Sequence, residues 1–123
     1  MHASLSQSLG IKLDIIQAPM AGVQNWELAL AVSEAGGLGS IPCGMLTPEQ
    51  VVSEVEAFTA RSNKPYNLNF FCHNMPPIDE TALATWQSTL QGYYDLLDAK
   101  VPSGIGGLRY PFDADMADAI EAF

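Results

Sequence analysis

Apolar positions along the chain switch between the two-residue repeat of a strand and the three-to-four-residue repeat of a helix, and the switches predict an order of elements. Leu13, Ile15 and Ile16 form a short apolar run before Pro19, predicting a buried first strand closed by a loop. Asn25 is a good N-cap for the Ala- and Leu-rich stretch 26–35, where Leu28, Val32 and Ala35 share one face, and Gly36 and Gly37 supply a left-handed stop. "GLGSI" predicts a second strand ended by Pro42 and Gly44. Thr47, Pro48, Glu49 and Gln50 then combine an N-cap, a proline at the first helical position and a capping-box partner, and Val51, Val55 and Phe58 lay an apolar stripe on the helix that follows. That helix should end near Arg61 to Lys64.

"YNLNFF", residues 66–71, predicts a third strand with Leu68 and Phe70 on one face and Asn67, Asn69 and Phe71 on the other. Helical spacing returns over 79–98 through Leu83, Trp86, Leu90, Tyr94 and Leu97. "VPSGIGGLRYPF" reads as a loop, and Asp113 caps a last short helix carrying Met116, Ile120 and Phe123. Strands alternating with helices, without hairpin signals, imply an α/β fold with a parallel sheet. Such (β/α) units suit a small open sheet or the first three strands of a TIM barrel, a closed form that takes about 200 residues or more. With 123 residues the expectation from length is one domain, or part of one, over 1–123.

Composition narrows the partners. A hydrophobic share of 48% with 15% charged residues gives the chain enough apolar surface to build a core. Five Lys and Arg against fourteen Asp and Glu leave a net charge of -9, which repels nucleic acid and anionic membranes. No apolar run is long enough to span a bilayer, and "MHASLSQSLGIKLD" lacks a basic segment followed by an apolar one, so a cytoplasmic location is expected. Cys43 and Cys72 are isolated, with His2 and His73 as the other soft ligands. Two buried free thiols are expected in place of a zinc site.

In parallel α/β folds ligands bind beyond the carboxyl ends of the strands, which directs attention to "QAPMAG", "PCGM" and "NFFCHN". Pro19 holds the first of these open, Met20 offers a soft side chain and Gly22 permits close approach, a surface suited to a flat, polarisable ring. Asn69 offers a donor and an acceptor to the edge of a heterocycle. The plainer alternatives are core packing for Met20, a backbone cap for Asn69 and a simple loop position for His73. The glycines of "GGLGSIPCG" close a helix and lead into a strand, the reverse of a dinucleotide fingerprint.

Together, "QAPMAG", "LALAVSEAGGLGSI", "NLNFFCH" and the later "PFD" resemble the N-terminal portion of the nitronate monooxygenases, formerly called 2-nitropropane dioxygenases, from about Ile11 onwards. The resemblance implies an FMN-dependent TIM barrel that oxidises alkyl nitronates with molecular oxygen. It implies that Ala18, Pro19, Met20, Ala21 and Gly22 line the flavin and that Asn69 contacts FMN. His73 matches the histidine of the family's "CH" pair near the substrate pocket. The family's catalytic histidine and phosphate-binding loops would lie beyond Phe123, so this chain by itself is expected to be inactive and to bind FMN weakly or not at all. An alternative is a related FMN barrel oxidoreductase such as a flavin-dependent enoyl-acyl-carrier-protein reductase. A third is a non-catalytic remnant that self-associates through unpaired strand edges.

Overall fold

The computed structural model describes residues 4–104 and 106–123, so His2, weighed above as a soft ligand, lies outside the described residues. Helices α1 (Leu5–Leu9), α2 (Trp26–Ala35), α3 (Pro48–Thr59), α4 (Glu80–Leu96) and α5 (Ala114–Ile120) accompany strands β1 (Gly39–Pro42) and β2 (Tyr66–Asn69). The strands are parallel, with Gly39 opposite Tyr66 and Pro42 opposite Asn69. The chain divides into one compact unit made of Met1–His73 with Arg109–Phe123, and another of Asn74–Leu108.

All four residues of β1 are buried, and the core of the first unit gathers around it: Ala29, Ile41, Cys43, Val51, Val55, Phe58 and Met116. The stripe expected on α3 is the wall of this core, since Val51, Val55 and Phe58 are fully buried. Its N-terminus is the capping box expected, with Thr47 Oγ1 accepting from Gln50 N and Gln50 Oε1 accepting from Thr47 N. Helix α3 packs on α5, whose Asp113 accepts from Met116 N at 2.9 Å and whose Met116 is buried. Helices α2 and α3 are tied by Trp26 N donating to Glu54 Oε2 at 2.7 Å and by the Arg61 guanidinium 4.5 Å above the Trp26 ring.

The face that α2 turns inward differs from the one expected. Ala29 and Ser33 are buried, whereas Leu28 and Ala35 are exposed. Small residues win here because the helix sits directly on the strand: a Cβ at Gly39 would lie 2.0 Å from the Ala29 carbonyl oxygen. Ser33 Oγ accepts from Gly39 N at 3.0 Å and donates to Pro65 O at 2.9 Å, so the buried hydroxyl joins helix, β1 and the start of β2.

The expected first strand is also corrected. Residues 13–17 contribute one isolated parallel bridge, Ile16 to Leu38, with Leu38 N donating to Ile15 O and Gln17 N to Leu38 O. Leu13, Ile15 and Ile16 are 46%, 56% and 49% exposed, because only one edge of this segment meets β1 and nothing packs over its apolar side chains. The expectation of two buried thiols holds for Cys43 alone; Cys72 is exposed. Helix α1 was not anticipated, although Ser4 and Gln7 form a second complete capping box.

In the second unit α4 begins at Asp79, whose Oδ1 accepts from Ala82 N at 2.9 Å, and runs close to the expected span. None of its residues is buried; Leu83, Leu90 and Tyr94 are its half-buried stripe.

Candidate functional site

The loops after the bridge segment, β1 and β2 leave one end of the sheet together, and a polar network fixes the first of them. Gln24 Oε1 accepts from Gln17 Nε2 at 2.7 Å and from Met20 N at 3.2 Å, while Gln24 Nε2 donates to Ser40 O at 2.7 Å. Ser40 N donates to Gln17 Oε1, Ser40 Oγ donates to Gln17 O, and Asn67 Nδ2 donates to Ser40 Oγ. "QAPMAG" is thus tied through Ser40 to both strands, and the polar Asn67 of β2 is part of that network.

Within that loop Ala18, Met20, Ala21 and Gly22 are exposed and Pro19 is half-buried. Gly22 adopts φ +83°, in the left-handed region that favours glycine, with no atom within 4 Å of the position a Cβ would take. Asn69 ends β2 with its side chain exposed; its carbonyl accepts from Cys43 N at 2.9 Å. His73 is exposed, and its Nε2 lies 3.0 Å from Arg109 O. Its ring sits beside Phe71, centroids 6.0 Å apart, as expected for residues two apart on an extended chain.

A cavity of about 320 Å³ opens at the same end of the sheet. Cys43, Met45, Leu46, Phe70, Phe71 and Phe112 supply most of its apolar lining, with Arg109 and Asp113 as the charged groups. One wall is the segment 109–112, held in place by His73 and by Phe112 N donating to Phe71 O at 2.8 Å. Phe70 and Phe112 meet edge to face at 4.8 Å. Sequence reasoning treated 101–112 as a plain loop. The signal available was the aromatic density of "RYPF" around the one cation of that stretch.

Burial pushes the Cys43 thiol up to about 11, and the nearby Glu54 charge adds to the rise. Its Sγ donates to Ile41 O at 3.4 Å, so it is an inert wall residue. Among the described residues no cluster of three or more His, Cys, Asp or Glu could hold a metal ion, and no helix is long and apolar enough to cross a membrane.

In α/β units with parallel strands, small molecules bind beyond the carboxyl ends of the strands, the end at which this chain gathers its loops and cavity. The family model for nitronate monooxygenase matches residues 2–101, and the chain belongs to that family, an oxidoreductase family. It is 38% identical over 109 residues to a nitronate monooxygenase from Paraburkholderia phytofirmans, covering 89% of this chain and 30% of that protein. It is 36% identical to one from Pseudomonas aeruginosa, covering 94% of this chain and 33% of that protein. Among solved structures it is similar to a nitroalkane oxidase from Streptomyces ansochromogenes, with a TM-score of 0.65, 32% identity and coverage of 94% of this chain and 31% of the other. FabK from Thermotoga maritima matches with a TM-score of 0.53 and 26% identity over 72% of this chain. The chain spans about a third of the length of the curated relatives it matches.

Proposed function

We propose that these residues form the first three β/α units of an FMN-dependent TIM barrel that oxidises alkyl nitronates with molecular oxygen. The observation that carries the reading is the "QAPMAG" loop, with Ala18, Met20, Ala21 and Gly22 exposed, pinned by Gln24 and Ser40 at the same sheet end as the Asn69 amide. Ala18, Pro19, Met20, Ala21 and Gly22 would lie against the flavin ring, and the empty space at Gly22 leaves the backbone open to a flat group. Asn69 would hydrogen-bond the ring edge. These residues fit one face of the cofactor. FMN, when bound, supplies the electron-accepting chemistry of the oxidation. The chain's own contribution is to hold a shelf and a hydrogen-bonding amide in register, while His73 keeps the aromatic segment 109–112 at the mouth.

Nitronate and oxygen are the substrates in this reading. The test is the visible spectrum and oxygen consumption, with propionate 3-nitronate, of the longest protein its gene encodes. A flavin spectrum and nitronate-dependent oxygen uptake are expected, and a product that never carries flavin refutes the reading. The second reading, a flavin-dependent enoyl-acyl-carrier-protein reductase, draws on the likeness to FabK, which is weaker in both TM-score and coverage. Turnover of an enoyl thioester in preference to the nitronate would establish it.

A further inference from the structure

Among its described residues the unit Asn74–Leu108 contains one helix, α4, and none of that helix's residues is buried. Segments this short, below about 40 residues, are generally held by disulfides, metal ions or association with another chain. Neither cysteine lies in this one, and among the described residues no cluster of His, Cys, Asp or Glu could hold a metal. Nor is α4 the helix that returns the chain to the core after β2, since α5 does that by packing on α3. We propose that α4 is a self-association surface that pairs with the α4 of a second copy of this chain.

Beside the half-buried Leu83, Leu90 and Tyr94, α4 carries a second stripe at Ala82, Trp86, Thr89, Tyr93 and Leu96. Its spacing alternates four and three residues, the repeat that keeps one seam of a helix facing a partner helix. Every member is exposed, Trp86 by 61%, Tyr93 by 65% and Leu96 by 79%. A solvated helix face ordinarily carries charge, yet the charged residues of α4, Glu80 and Asp95, lie on the opposite side. Two copies of a chain with net charge -9 can therefore bring these stripes together without setting carboxylates against each other at the contact.

The stripe is complementary to itself when one copy is reversed. A parallel pair would stack Trp86 on the partner's Trp86 and leave Thr89 against the partner's Thr89. An antiparallel pair sets Tyr93 over the partner's Thr89 and Leu96 against the partner's Trp86, so a large ring covers each small threonine. It also places opposed helix dipoles side by side and closes as a symmetric dimer. With about 150–250 Å² buried per aromatic side chain, the exposed parts of Trp86, Tyr93 and Leu96 remove roughly 400 Å² per copy from water. That is about half of the ~800 Å² per partner of a stable complex, which sets a weak, concentration-dependent dimer. None of these residues is assigned above to the flavin, so the dimer stands or falls independently of that reading.

The experiment is sedimentation equilibrium of the 123-residue chain up to about 1 mM. A monomer–dimer equilibrium with a dissociation constant below about 0.5 mM is expected. Trp86→Glu and Tyr93→Glu should each weaken it about tenfold or more, with helical circular dichroism unchanged. Two controls should leave it within about twofold: Ser88→Glu, which adds the same charge to the far side of α4, and Ile15→Lys, on the exposed segment beside β1. A chain still monomeric at about 1 mM, a dimer of undiminished strength in Trp86→Glu or Tyr93→Glu, or one dissolved by Ser88→Glu or Ile15→Lys overturns the proposal.

Discussion

Replacing Gly39 with alanine tests the central packing claim, that α2 rests on β1 with no side chain between them. The added Cβ would stand 2.0 Å from Ala29 O, 2.6 Å from Ala29 C and 2.7 Å from Ser33 Oγ. The first two are backbone atoms of a helix, so relief requires lifting α2 off the strand. Overpacking of this kind costs about 1 to 3 kcal/mol. Displacing Ser33 from Gly39 N loses a buried hydrogen bond worth about 0.5 to 1.5 kcal/mol. Restricting the unfolded chain returns roughly 0.4 to 1 kcal/mol, since Gly39 does not use a positive φ. The net loss is about 0.5 to 4 kcal/mol. Urea unfolding followed by circular dichroism reads it directly, with Gly92→Ala as the opposite control. Gly92 lies inside α4 with nothing within 4 Å of a new Cβ, so helix propensity alone should stabilise that variant by about 0.5 to 1 kcal/mol. A Gly39→Ala chain that loses less than about 0.5 kcal/mol, or gains stability as Gly92→Ala does, refutes the close-packing argument.

Four further tests follow from the same structure. Phe58→Ala empties a fully buried position beside Tyr66, ring centroids 4.7 Å apart, and should cost about 3 to 5 kcal/mol in the same urea assay. Gln24→Ala removes the partner of Met20 N, Gln17 Nε2 and Ser40 O, and should speed hydrogen exchange at the Met20 amide while destabilising by about 1 to 3 kcal/mol. The Cys43 thiol ionises near an ordinary 9.0 when unfolded and near about 11 when folded, so between those values the folded chain holds the extra proton. Stability should therefore fall as pH rises from 9.0 towards 11, and a Cys43→Ala chain should lose that part of the pH dependence. Iodoacetamide at neutral pH should label Cys72 in the folded protein and Cys43 only after unfolding.

Local chemistry was the legible part of the sequence. Thr47 with Gln50, Asn25 and Asp113 each cap a helix within three residues of themselves, and a short-range device of this kind shows in sequence. Tertiary choices were less visible. The inward face of α2 could not be read from hydrophobicity, because the helix selects Ala29 and Ser33 for a close approach that depends on Gly39 across the contact. The apolar run 13–16 predicted a buried strand, yet burial needs neighbours on both faces, and pairing here stops at one bridge to Leu38. The "QAPMAG" loop was recognisable as a mouth segment, whereas the cavity was not, since its wall arrives from residues 109–116 after a separate unit of the chain.

The capping, packing and pairing that surround β1 also fix an order of events in time. Gly39 and Tyr66 are 27 positions apart (66 − 39 = 27), and the intervening α3 takes up 12 of them. Once α3 has wound, little loose chain remains to be closed, so the entropy of bringing β2 alongside β1 is low for a parallel pair. Helix α2 joins the same strand from within ten residues of its start. The stretch from Trp26 to Asn69 is therefore the natural nucleus, condensing from near-neighbour contacts before the 109–123 segment returns across a long gap to lay α5 on α3. That order makes the aromatic cavity wall the part of this unit expected to form last and to open first, which native-state hydrogen exchange at Phe112 would read.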